Sequence, residues 1–336
     1  HWILPLLVWS AFLTVIFWVM LCILTVVRKH WVEHERLLFP LTTPVFQMVE
    51  GKVAEGVPFW RNRLVYIGMI YPLIFHGLAH INNYFPSVPR INAITLFPDY
   101  HFSQHTYFYP DPVHIGIGYL LPLDLLFSMW FFFWVRIAGY GYYIRIGVYD
   151  NNYFWLFRSH GFGGFLMLAL VALWTSRNEL KIMIAKAFGR KVDYDDSDEP
   201  LPYAVAFWGS IIGIVLIMTF CWGFLKINVW FALAYFLIFF ACALTFSRIR
   251  AEAGWPYTHP MPEQTPDVFN KTLGGTVLRD NAMGYGLLHT LCYGYFAATG
   301  AIAMEAYRFG DLVGIRRRTL TKIMIAIVFL ITLIGF

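Results

Sequence analysis

The stretch WILPLLVWSAFLTVIFWVMLCILTVV, residues 2–27, decides the fold. It holds no charged side chain over more than the roughly 20 apolar residues that a helix needs to cross a bilayer core. Arg28 and Lys29 close it. Working outward, comparable apolar runs recur near 64–81, 113–135, 160–175, 203–225, 228–247, 284–304 and 320–336. Backbone polar groups in lipid must be satisfied within the segment, which helices achieve. The expectation is an all-α, polytopic transmembrane helical bundle of about eight membrane segments.

Composition agrees, since 59% of residues are hydrophobic and 13% charged, values rare in a water-soluble globule. Trp60, Tyr109, Trp134, Trp155 and Trp230 fall near segment ends, where amphipathic rings favour the headgroup level. The net charge of +5 is explained by basic residues flanking spans, so the expected partner is the lipid bilayer and no nucleic acid. Cys22, Cys221, Cys242 and Cys292 all lie inside apolar runs without a CxxC pair and read as packing residues.

Cytoplasmic loops of membrane proteins carry the excess of Lys and Arg. That bias places 28–63, 176–202 and 305–322 on the cytoplasmic side and 82–112, whose single basic residue is Arg90, outside. The location expected is the cell inner (cytoplasmic) membrane, multi-pass. Three apolar runs lie between the first two basic loops and three between the second and third, where sidedness requires even numbers. One element in each stretch must therefore be split or re-entrant, and the candidates are Gly139 to Tyr153 and the loop Arg250 to Asn281. The chain begins at His1 and stops inside an apolar run at Phe336, so it is expected to be a piece of a longer protein.

The expected domains are a first transmembrane bundle at 1–175 with the external loop 82–112, a linker at 176–202, and a second bundle at 203–336. The linker reads as an amphipathic surface helix followed by a solvated acidic run, Asp193 to Glu199. Residues 31–51, interrupted by Pro40 and Pro44, are too short and broken to span and are expected at the interface.

Ionisable groups inside membrane segments are costly and mark function by default. Asp124 follows Pro122 within GIGYLLPLDLLFSMWFFFW, where the proline loosens the helix beside the carboxylate. His76 and His80 are four apart in YPLIFHGLAHINN and share a helical face. Two imidazoles make only weak metal candidates without a third ligand, although His101, His105 and His114 add partners from the external loop. A haem b would need axial histidines on facing helices, for which His76 or His80 with His289 is the formal pair. SRIRAEAGWPYTHPMPEQTP, residues 247–266, ends a span and breaks at Gly254 and Pro256. Arg248, Arg250 and Glu252 stand there beside free backbone groups that suit a substrate or an ion. There is no GxSxG, P-loop, HExxH or dinucleotide fingerprint, so nothing argues for an enzyme, and no cofactor is expected.

In WVEHERLLFP (31–40), GYLLPLDLLFSMWFF (118–132), DEPLPYAVAFWGS (198–210) and RIRAEAGWP (248–256) the chain resembles a family of uncharacterised multi-pass bacterial membrane proteins. That family is distantly similar to oligopeptide-transporter-type carriers, chiefly through the RIRAEAGWP turn and the overall layout. The resemblance and the residues together lead to the expectation of a secondary carrier for a small polar or peptide-like solute, coupled to protons or another cation. Asp124 is the expected coupling carboxylate, Arg250 and Glu252 the gate or substrate contact, and His289 a further candidate. The alternative is a non-transporting structural or docking subunit of a larger membrane-bound complex, with an electron-transfer complex as one version of it, its partner protein held at loop 82–112.

Overall fold

The computed structural model describes residues 2–51, 58–89, 91, 94–95, 107–108, 110–147, 151–255, 281, 283–288, 296 and 298–335. The fold is all-α, apart from a two-residue antiparallel ladder that pairs β1 (Ile94–Thr95) with β2 (Tyr107–Phe108). Among the described residues, five helices are long and apolar enough to cross a membrane.

The chain divides into two compact units, His1–Phe39 with Arg158–Phe336, and Pro40–Phe157. This division departs from the expected boundary at 176–202. Those residues lie wholly inside the first unit, because their charged groups pair with helices on either side of them in sequence.

The first unit is built around α1 (Ile3–Lys29), whose apolar residues face in every direction and are largely buried. Such a helix belongs at the centre of a bundle. Its principal neighbours are α8 (Tyr203–Gly223) and α11 (Arg317–Gly335), while α9 (Val229–Ala253) packs on α10 (Ala298–Val313) and α7 (Arg177–Ala187) on α8. Phe12, Ile16 and Met20 of α1 meet Ile217, Tyr235 and Phe239 in one apolar cluster. Phe17, Leu21 and Leu24 meet Ala172, Leu244 and Met304 in another, joined by Trp31 and Phe39. Close approach depends on small residues, as helix packing in membranes generally does. A Cβ on Gly213 would stand 2.4 Å from Val19 Cγ2, so α1 and α8 meet where glycine leaves room.

Arg28 and Lys29 occupy the last turn of α1, where cations complement the helix dipole. The helix then widens into a π-turn, His30–His34, closed by the Glu35 N–H bonding to the His30 carbonyl at 2.9 Å. Arg36 and Phe39 take left-handed backbone conformations, and the Phe39 N–H bonds the Ala251 carbonyl at 2.8 Å. This fixes the end of α1 beside the end of α9.

At the opposite end of α9, Asn228 caps the helix by accepting from the Trp230 N–H, and its own N–H bonds the Asn281 side chain at 2.8 Å. Gly254 ends α9 and Asn281 lies beside its start, a 25-residue helix away. Most of the expected split or re-entrant loop Arg250 to Asn281 lies outside the described residues.

The second unit contains α2 (Thr42–Glu50), α3 (Arg63–Tyr84), α4 (Pro112–Leu120), α5 (Leu123–Arg145) and the start of α6 (Asn151–Thr175). Asn62 caps α3 through the Leu64 N–H, and Asp111 caps α4 through the Val113 N–H. The run expected as one span over 113–135 is broken at Leu121 and Pro122 into α4 and α5. Proline lacks the N–H needed to continue the ladder and disfavours helix at the residue before it. Gly139 and Gly141, expected in an irregular element, lie inside α5, which runs on to Arg145.

Candidate functional site

The ends of α1 and α9, α7, the 188–202 loop and the facing parts of α10 and α11 bring together most of the ion pairs of the first unit. Three clusters make up this charged end.

The first is centred on Arg28, which is 1% exposed. Its Nε and Nη2 donate to Glu199 at 2.9 and 2.8 Å, and Glu33 lies 3.6 Å away. Glu199 is itself buried, and Arg28 Nη1 is buried with no hydrogen-bond partner. Around this pair the acidic run is strapped down. Lys186 donates to Asp196 at 2.8 Å, Asp196 accepts the Tyr203 N–H, and the Tyr194 and Tyr203 hydroxyls meet at 2.9 Å. Lys29 stands 4.2 Å over the Tyr194 ring. From α11, Arg317 and Arg318 donate to the carbonyls of Asp198 and Asp196. The expected solvated linker is thus a pinned loop, since its carboxylates and carbonyls satisfy cations from several helices. Partial burial raises the Asp196 carboxyl, but the Lys186 ammonium and the Tyr203 N–H outweigh it and hold the group below its ordinary value.

The second cluster sits on the π-turn, a rare feature often found at functional sites. His30 and His34 stack at 5.4 Å between ring centroids. His30 Nε2 lies 3.1 Å from Glu35 Oε1, and Glu35 is clamped by Arg248 through two hydrogen bonds, at 3.1 and 2.5 Å. On the other side of the ring, His30 Nδ1 lies 3.7 Å from Glu179 Oε1. The second carboxylate oxygen of Glu179 is buried with no hydrogen-bond partner among the described residues.

The third joins α9 to α10. Arg250 donates through Nε and Nη2 to Glu305 at 2.6 and 3.1 Å, and Arg250 Nη1 is buried with no hydrogen-bond partner among the described residues.

Of the residues selected from sequence, Arg250 and Glu252 both belong to this end but not to one pair. Glu252 lies 3.6 Å from Arg248 one turn away and is half exposed. Asp124 is in the second unit, exposed in the first turn of α5, where the Ser128 hydroxyl bonds its carbonyl. His76 and His80 are exposed on α3, and among the described residues no third ligand joins them. His289 lies outside the described residues, as do His101, His105 and most of the loop from Arg250 to Asn281.

Sequence reasoning passed over Glu305, Glu199, Glu179, His30 and His34. Glu305, a lone carboxylate in TGAIAMEAYRFG, carries the same signal that selected Asp124, and His30 and His34 repeat the four-residue spacing of His76 and His80.

The model of one protein family, described as a family of unknown function (DUF6785), matches residues 1–336. No curated protein and no solved structure matches the chain.

Proposed function

The chain belongs to the DUF6785 family, and we propose that it is a secondary carrier for a small polar or peptide-like solute, coupled to protons or another cation. In this reading it resides in the inner (cytoplasmic) membrane with its charged end toward the cytoplasm, as the basic loops require. The observation that carries it is the Arg250–Glu305 pair, whose Nη1 donor has no partner among the described residues.

A buried donor without a partner costs about 1–3 kcal/mol. A carboxylate-bearing solute would satisfy it, and the planar guanidinium fork suits a carboxylate. Protonation of Glu305 would release Arg250 from its partner, which links proton uptake to a change at the solute contact. Asp124 is the second coupling carboxylate in the proposal.

The test is uptake of radiolabelled amino acids and dipeptides into proteoliposomes under an imposed pH gradient. Gradient-driven accumulation of one of these supports the carrier; its absence across the panel removes it.

A second reading, a non-transporting subunit of a larger membrane complex, draws on α3 and α5. Among the described residues only 6% of the apolar window of each is buried, which suits a surface offered to lipid or to a partner chain. Co-purification of a stable partner protein in a gentle detergent would favour it.

A further inference from the structure

We propose that His30, His34 and Glu179 form a binding site for a divalent first-row transition cation. Their ligand atoms all lie within 4.8 Å of one another. Tetrahedral zinc bonds of 2.0–2.2 Å set ligands about 3.4 Å apart, and the 3.7 Å between His30 Nδ1 and Glu179 Oε1 is close to that edge.

Three features point to a cation. First, Glu35 Oε1 lies 3.1 Å from His30 Nε2, and with the ring proton on that nitrogen the lone pair of Nδ1 is directed at the Glu179 side. A carboxylate holding the outer nitrogen of an imidazole is the usual support of a metal-bound histidine, and here Arg248 fixes that carboxylate in turn. Second, in that tautomer a lone pair and a carboxylate oxygen stand 3.7 Å apart, too far for a hydrogen bond, and they repel unless a positive charge lies between them. Third, Glu179 is 7% exposed with Oε2 buried and unpartnered among the described residues, an arrangement that a bound cation relieves.

Two imidazoles and one carboxylate suit zinc and its neighbours better than calcium or magnesium. His34 is exposed, so solvent reaches the site from its side and a fourth position is open to water or an anionic ligand. The site is independent of the carriage proposed above.

The experiment is titration of the chelator-stripped full chain in detergent with Zn2+ alone, followed by calorimetry and by metal analysis after desalting, with Co2+ as the spectroscopic probe. The expected result is one ion per chain and a Co2+ ligand-field spectrum. Both weaken more than about tenfold in His34→Ala and in Glu179→Gln, and are unchanged in a His76→Ala/His80→Ala double variant. His34 is exposed, so His34→Ala retains the metal-free melting temperature and separates ligation from folding. Equal Zn2+ binding by wild type, His34→Ala and Glu179→Gln, loss of binding in the His76/His80 variant alone, or no binding at all would each overturn the site.

Discussion

Arg28 and Glu199, 171 positions apart in sequence, form a two-point ion pair in which both side chains are buried. It pins the loop before α8 to the last turn of α1. Removing one member of such a pair leaves the other charge buried without compensation, at about 3–5 kcal/mol, whereas an apolar pair of similar volume is often neutral. Arg28→Met is therefore expected to lower the melting temperature in detergent sharply, and Arg28→Met with Glu199→Leu to restore most of it. Equal melting temperatures for wild type and Arg28→Met would show that the pair does not hold the loop.

The pinned loop has a pH dependence with a definite sign. Asp196 is held below its ordinary value in the fold, so its contribution is complete above the unfolded carboxylate range, near 3.9, and is lost as pH falls through the lower folded value. Protection of the 193–202 amides relative to their intrinsic exchange rates should be high at pH 7 and fall as pH drops below the ordinary carboxylate range. In Asp196→Asn it should already be low at pH 7.

Asp124 separates two mechanisms. If it is a coupling carboxylate, Asp124→Asn removes gradient-driven uptake and leaves the melting temperature within a degree or two of wild type, because the side chain is exposed at a helix start. Undiminished uptake in that variant would remove Asp124 and leave coupling to Glu305.

Much of this fold was legible in the sequence, for a physical reason. Apolar runs such as residues 2–27 have to be helices if they enter lipid, and the α1, α3, α8 and α9 boundaries fall within a few residues of the hydropathy boundaries, α9 running on to Ala253. The break at Pro122 was written in the chain but lay inside a run that hydropathy alone averages across. The pairings were not legible. Nothing in the sequence says that Arg28 reaches Glu199 instead of Glu33, or that Arg250 turns to Glu305 on α10 instead of Glu252 on its own helix, because partner choice is set by which helices pack. The π-turn was equally hidden, since one widened turn leaves no mark on apolar periodicity, and His30 and His34 went unnoticed with it.

The most direct test of the carrier is solute uptake by proteoliposomes holding Arg250→Gln, measured beside wild type under the same inward proton gradient. The account predicts that wild type accumulates the solute, that Arg250→Gln loses at least about tenfold of that rate, the worth of roughly one buried charged hydrogen bond, and that Glu305→Gln binds solute but no longer responds to the gradient. Uptake by Arg250→Gln equal to wild type would contradict it.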